Sequence, residues 1–177
     1  NSLALISSRY TLQALDTLYM MVAAHLFVLC QALDLRVLQV QFLTSMEENI
    51  QNMVWSCSNF HVPQDLRDTL SAAICSRIRA VWPTTNTTDL EQRCKTTADA
   101  VILDVVNVFA NASPAVLVSS AELINFTTKL QTQMQVQYEL NRQRLFDTHL
   151  ATTPSHLGSA AKRMYNFVRT KLGVALH

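Results

Sequence analysis

Histidine, cysteine and carboxylate residues are the side chains with which this chain could do chemistry, and their spacing favours no reaction. The histidines form neither HxxxH nor HExxH, the patterns typical of a helical zinc site; they are His25, His61, His149, His156 and His177. His25 lies in the most apolar window, so we interpret it as a buried, hydrogen-bonded structural histidine. The sequence contains no Gly-x-Ser-x-Gly elbow and no signature of a cysteine nucleophile.

Two carboxylates, Asp16 and Asp34, lie on one side of the first predicted helix. They are separated by five helical turns, about 27 Å by the helical rise, so they cannot share a reaction. From the residues alone we therefore assign no catalytic, cofactor-binding or metal-binding residue.

The cysteines and the glycosylation-like triplets both have ordinary interpretations. The cysteines form no CxxC pair and are expected to be buried, reduced thiols of an intracellular, cytoplasmic protein; they are Cys30, Cys57, Cys75 and Cys94. Asn-x-Ser/Thr triplets begin at Asn86, Asn111 and Asn125, and we interpret them as chance in a threonine-rich chain.

Composition restricts the fold to helices. The 177 residues include only 2 glycines and 4 prolines. β-Sandwiches and nucleotide-binding loops both need more turn residues or clustered glycines than this. The net charge is +1 and no basic run exceeds Lys162-Arg163, so we expect no nucleic-acid partner, because such binding requires a basic stripe.

The most apolar window, Leu18–Leu33, is shorter than the ~20 residues of a membrane span and contains His25 and Gln31. We therefore expect no membrane helix, and we recognise no secretion signal.

Two further groups of residues have ordinary interpretations. We interpret Arg142 and Arg144 as a solvated surface and Met20-Met21 as core filler.

The first predicted helix runs from Ser2 to about Phe42 without glycine or proline, and its apolar residues surround it on every side. A helix of this kind is normally buried on every face. Because the remaining chain has too few helices to surround it, the sequence predicts a part of a larger helical bundle or oligomer.

The remaining sequence predicts shorter helices, which the 3–4 period and Pro63, Pro83 and Pro114 delimit. The pattern Ser/Thr-x-x-Glu predicts two helix-capping boxes, at Thr88–Glu91 and at Ser119–Glu122. The predicted helices cover 44–58, 65–81, 88 to about 110, 119 to about 150, and 159–172, with a loop over 152–155 and Gly173 at the last C′ position.

The fold class is thus all-α: a long central-bundle helix followed by about five shorter or medium helices. We divide the chain into that helix, 1–43, and a C-terminal helical region, 44–177, without an independent domain boundary.

The stretches NSLALISSR (residues 1–9) and QALDLR (residues 31–36) have the form NSL-G/A-LIS-A/S-R and QA-x-DLR. In this they resemble the aromatic amino acid ammonia-lyases, most of all the fungal phenylalanine ammonia-lyases. The later stretches are Thr84-Thr85 with Asp89-Leu90 and Arg93, then Tyr165-Asn-Phe-Val-Arg169 with Leu172-Gly173-Val174.

The resemblance implies the C-terminal portion of a cytosolic, homotetrameric lyase. Such enzymes eliminate ammonia from phenylalanine to give cinnamate. They use a methylidene-imidazolone electrophile formed from an internal Ala-Ser-Gly and a tyrosine that removes the β-proton. The expected partners are the other parts of the subunit and the tetramer partners.

This chain departs from the family pattern because it contains no Ala-Ser-Gly. None of its tyrosines matches the family's base; they are Tyr10, Tyr19, Tyr138 and Tyr165. Asn1 and Ser2 would lie near the active site, yet we assign neither a catalytic role. Taken alone, the chain is expected to be inactive. The alternatives are a non-catalytic helical oligomerisation module and, from a different class, a secreted four-helix bundle.

Overall fold

The computed structural model describes residues 2–56, 64–112 and 118–176. The elements are α1 (Ser2–Ser56), α2 (Gln64–Val81), a 3₁₀ turn (Trp82–Thr85), α3 (Leu90–Ala110), α4 (Ser120–Ser155), α5 (Ser159–Asn166) and a π-helical turn (Phe167–Lys171). No strand occurs in these described ranges, and the predicted all-α class is confirmed.

The first helix is longer than predicted. Its expected end near Phe42 and the separate helix expected over 44–58 are wrong, because α1 continues without interruption to Ser56. The physical reason is that no glycine or proline precedes Pro63, and that Phe42, Met46 and Ile50 continue one buried stripe with a period of four. The division of the chain at residue 43 stays a prediction.

The chain forms two compact units, which are described separately. The middle unit comprises residues 39–143, and its core is formed by the C-terminal part of α1 together with α2, α3 and α4. Among the described residues of this unit, sixteen apolar side chains are buried in the core, from Phe42 on α1 through Trp82 to Met134 on α4. Each Val, Leu, Ile, Phe or Met side chain among them contributes about 1.5–3 kcal/mol on full burial.

The starts of α3 and α4 test the two predicted capping boxes. The Thr88 box is wrong: Asp89 is the N-cap and its carboxylate accepts the Gln92 backbone N–H at 2.8 Å. Thr88 instead donates its hydroxyl to the Thr85 carbonyl oxygen at 2.9 Å. The box at α4 is confirmed, since Ser119 and Glu122 exchange hydrogen bonds in both directions.

The terminal unit comprises residues 1–38 and 144–177, of which 2–38 and 144–176 are described. The loop expected over 152–155 is wrong, because α4 continues to Ser155 with Pro154 inside its last turn. A proline there removes one backbone donor near a helix end, where few intrahelical bonds follow.

The single helix predicted over 159–172 is α5 followed by the π-helical turn, and its predicted end is confirmed by Gly173 at φ +66°. A residue with a side chain would be strained in this left-handed conformation. Before it, the π-helical turn is marked by the bond from the Leu172 N–H to the Phe167 carbonyl oxygen at 3.0 Å. Val174 then donates to Val168 at 3.2 Å and closes the C-terminal turn.

Candidate functional site

His25 and Asp16 are exposed on α1, so the prediction of a buried, hydrogen-bonded His25 is wrong for this chain. The apolar neighbours that were expected to bury His25 are themselves exposed. Asn1, Cys57 and His61 lie outside the described residues.

Asp34 is the centre of a buried polar network in the terminal unit, and it is fully buried. Its Oδ1 accepts hydrogen bonds from Thr153 Oγ1 and from the Tyr165 hydroxyl, each at 2.6 Å. Its Oδ2 accepts from Arg169 Nη2, also at 2.6 Å. We call Asp34, Thr153, Tyr165 and Arg169 the Asp34 network.

Arg169 extends this network toward the end of the chain. Its Nη2 also donates to Gln31 Oε1 at 2.8 Å, and its Nη1 donates to the carbonyl oxygens of Val174 and Ala175. Both side chains of the Asp34–Arg169 ion pair are fully buried. A charge in that position is tolerated only when it is paired and hydrogen-bonded, as this one is.

The environment of the network opposes acid–base chemistry. Burial, assisted by the hydrogen bond to Asp34, raises the pKa of Tyr165 to about 12, so Tyr165 is a poor base near neutral pH. Burial also raises the pKa of Cys30, whose thiol packs beside Tyr165 and Val168. The arrangement is therefore structural: it fixes α5 and the π-helical turn on α1.

At the level of sequence, Asp34 is a possible partner of Asp16 and part of the QALDLR motif, and Tyr165 and Arg169 are parts of the C-terminal motif; none of the three is predicted to contact another. A local signal for the latter two exists: they stand four residues apart, which places them on one helical face. Their common partner is 131 and 135 residues away in the chain, and nothing in the sequence indicates that pairing.

A second candidate site is the exposed apolar surface of the first half of α1. We call the following residues the α1 apolar surface: Leu3, Leu5, Ile6, Tyr10, Leu12, Leu15, Leu18, Tyr19, Met20, Met21, Val22, Val28 and Leu29. Met20 and Met21 are 67% and 65% exposed, so their interpretation as core filler is wrong within this chain. A contiguous apolar surface of this kind marks a protein or membrane interaction site.

By length and composition, α1 is also apolar enough to cross a membrane. Its most apolar 18-residue window has a mean hydropathy of 1.7, and 11% of that window is buried. The core helix of a larger soluble assembly has the same composition, so this property alone does not decide what covers the surface.

Arg93 organises a third cluster, in the middle unit. Its guanidinium carbon lies 3.7 Å from the centroid of the Trp82 ring, and Trp82 in turn packs against Phe42 and Tyr138. Arg93 also donates to the Trp82 carbonyl oxygen at 3.0 Å and to Asn86 Oδ1 at 2.6 Å. These contacts hold the 3₁₀ turn on α3.

The cysteines, the exposed arginines and one groove are the other features that could serve as a site. Cys30, Cys75 and Cys94 are free thiols, of which Cys75 is only partly buried. Arg142 and Arg144 are exposed, as expected of a solvated surface. Over the described ranges, no three metal-ligating side chains come together. An open groove of about 490 Å³ lies between α1 and α4 in the middle unit, where Asn49, Lys129 and Gln133 are among its lining residues.

Comparison with known proteins identifies relatives of the whole chain. It is 31% identical over 187 residues to phenylalanine ammonia-lyase hkm12 of Aspergillus hancockii and 29% identical over 183 residues to phenylalanine ammonia-lyase lenB of Aspergillus lentulus. Both matches include 100% of this chain but only 25% of the relative. No family model matches the sequence.

Comparison with solved structures identifies the same kind of relative. Two crystal structures of phenylalanine ammonia-lyase from the yeast Rhodosporidium toruloides superpose on the whole chain with TM-scores of 0.86 and 0.84, at 25% sequence identity. This chain spans 26% and 27% of those two chains. It therefore spans about a quarter of the proteins that it resembles, which is consistent with the C-terminal portion expected from its motifs.

Proposed function

Since this chain is homologous over its full length to about a quarter of the fungal phenylalanine ammonia-lyases, we propose that it is the C-terminal, assembly-forming part of such a lyase. The whole enzyme would eliminate ammonia from phenylalanine to give cinnamate, as a cytosolic homotetramer. In this chain the α1 apolar surface would pack against the matching helices of partner subunits.

The observation that carries this proposal is the exposure of the α1 apolar surface in a chain whose fold matches only part of a larger subunit. Large apolar side chains from Leu3 to Leu29 contact water in the isolated chain. At about 25 cal/mol per Å² of apolar surface removed from water, covering them would strongly favour association. Asp16 and His25 are exposed within the same stretch, and polar side chains there suit a protein interface better than lipid.

The residues present do not fit the family's electrophilic group. Its source would be an Ala-Ser-Gly tripeptide, and the one Ala-Ser pair of this sequence, Ala112-Ser113, is followed by Pro114. The group would thus have to come from another part of the subunit, and no step of the reaction is assigned to residues of this chain. The chain alone is expected to produce no cinnamate.

Complementation tests the proposal. The chain is co-expressed with the remaining three-quarters of the Aspergillus hancockii enzyme, and cinnamate formation and complex size are measured. We expect activity only when both pieces are present, and loss of the complex with Met21→Lys on the α1 apolar surface. The matched control is Gln13→Lys, an exposed polar position on the same helix. Cinnamate production by the 177-residue chain alone would refute the proposal.

The same exposed surface also favours a second candidate, a non-catalytic module that joins full-length lyase subunits. The two candidates differ in their partner. A module would co-purify with an intact lyase and leave its activity unchanged, whereas a subunit portion would bind only a lyase that lacks the matching quarter. Partition of the chain into lipid vesicles in preference to either partner would contradict both.

A further inference from the structure

The C-terminal segment 159–176, which contains α5 and the π-helical turn, has few apolar contacts to hold it. Tyr165 and Val168 of this segment join Cys30 in a small buried cluster, against which the partly buried Leu26, Leu33, Leu157 and Val174 pack. By contrast, sixteen apolar side chains are buried among the described residues of the middle unit. The segment's outward side chains Met164 and Phe167 are 55% and 50% exposed. Apolar burial alone therefore contributes little to the stability of the packing of this segment on α1.

Hydrogen bonds and a buried ion pair provide further contacts between this segment and α1. Of the four members of the Asp34 network, Tyr165 and Arg169 belong to the segment, and both bind Asp34 on α1 at 2.6 Å. Arg169 also binds the segment's own tail through the Val174 carbonyl oxygen at 3.1 Å. The buried ion pair therefore joins α1, the π-helical turn and the tail at a single point.

The connection between α4 and this segment is short and mostly exposed. Ser155, His156 and Gly158 are exposed, and no atom lies within 4 Å of the position that a Cβ on Gly158 would occupy. Movement about these residues would break the small cluster around Cys30 and the Asp34 network, both within the terminal unit. Local openings of this kind are expected where buried apolar contacts are few.

We propose that residues 159–176 form a latch that the Asp34 network holds closed on α1, and that opening of this latch exposes the Cys30 thiol while the middle unit stays folded. The charge at Asp34 decides the state of the latch. A buried ion pair that loses one partner leaves an uncompensated charge in a dry environment, which strongly favours the open state. The inference does not depend on the lyase assignment, since it concerns contacts within this chain.

The test measures thiol labelling at two cysteines of the full 177-residue chain. N-ethylmaleimide is added, and the labelled peptides that carry Cys30 and Cys94 are followed by mass spectrometry. Cys94 is fully buried in the middle unit and reports its unfolding. The variants are Asp34→Asn and Arg169→Met, which break the ion pair, and Tyr165→Phe and Thr153→Val, which keep it. Lys162→Met, an exposed cation of the same segment, is the matched control.

We expect Cys30 to react about a hundredfold faster, or more, in Asp34→Asn and Arg169→Met. Tyr165→Phe and Thr153→Val each remove one hydrogen bond to the charge, so about tenfold or more is expected. Cys94 and the Lys162→Met control should be unchanged. The double variant Asp34→Asn/Arg169→Met should open no more than either single variant, since both charges are gone.

Two results would overturn the proposal. If Cys30 and Cys94 accelerate together, the network supports the whole chain and no separate latch exists. If Cys30 labels at the wild-type rate in every variant, the charge does not hold the segment. Should Asp34→Asn fail to fold, Tyr165→Phe and Thr153→Val still decide between the same outcomes, because they leave the ion pair intact.

Discussion

Arg93 lies with its guanidinium carbon 3.7 Å from the Trp82 ring centroid and also donates to the Trp82 carbonyl oxygen at 3.0 Å. One side chain thus contacts both the ring and the backbone of its partner. The planar guanidinium can do this because it stacks through its face and donates along its edge. Lysine has a compact ammonium group and cannot make both contacts at once.

Arg93→Lys should therefore destabilise the middle unit although the charge is conserved. We expect the free energy of unfolding to fall by about 1–3 kcal/mol, since the contacts to Trp82 and Asn86 are lost together. Urea unfolding followed by far-UV circular dichroism measures this change. Arg142→Lys, at an exposed position on α4, should have little effect. Equal stability of the two variants would show that the stacked arrangement contributes nothing specific.

The ion pair between Arg77 on α2 and Asp104 on α3 should make stability depend on acid pH. Arg77 donates to both carboxylate oxygens, at 2.6 and 3.0 Å, and these hydrogen bonds lower the pKa of Asp104 below its ordinary value. As the pH falls below about 5, the unfolded chain takes up a proton at this position before the folded chain does, so folding loses free energy.

Urea unfolding between pH 7 and pH 3 tests this dependence. We expect Asp104→Asn to be less stable than the wild type at pH 7 and to lose less stability on acidification. Asp99→Asn, on the same helix but exposed, serves as the control and should keep the wild-type slope. An Asp104→Asn curve parallel to that of the wild type would contradict the expectation.

Tyr165 should ionise at a higher pH than an ordinary tyrosine. Burial and the hydrogen bond to Asp34 raise its pKa to about 12, while an ordinary tyrosine titrates near 10. Because the folded state holds this proton more tightly, the stability associated with Tyr165 is complete below about pH 10 and is lost as the pH rises from there toward 12.

Absorbance titration of the phenolates measures this shift directly. Tyr165→Phe should remove the latest-titrating component and flatten the alkaline loss of stability. Tyr19→Phe, at an exposed position on α1, should leave the late component in place. If Tyr165→Phe removes an early component, the buried hydrogen bond to Asp34 does not form in solution.

The sequence predicted those features that depend on near neighbours. The sequence predicts α2 because Leu70 and Ile74 repeat at helical spacing, and α3 because Val101 and Val105 do. It predicts the Ser119–Glu122 box because its partners are three residues apart. The extension of α1 beyond Phe42 differs from the prediction because nothing between Phe42 and Ser56 stops a helix whose apolar stripe continues through Met46 and Ile50.

The Asp34 network could not be predicted, because its partners come from positions 119 to 135 residues away. Only the tertiary fold brings Thr153 and Arg169 to one carboxylate. The exposure of His25 was missed for a related reason: an apolar helix indicates burial in its assembly, and the single chain does not provide the covering helices.

The α1 apolar surface should cause the purified chain to self-associate. Adding a charge at its centre should oppose this, because burying an unpaired lysine in an interface costs several kcal/mol. We expect Met21→Lys to shift the chain toward monomer, with unchanged helical content, when the mass is measured by size-exclusion chromatography with light scattering. Gln13→Lys adds the same charge at a polar position and should leave the oligomer intact. A wild-type chain that is monodisperse, monomeric and cooperatively folded would contradict the idea that this surface needs a protein partner.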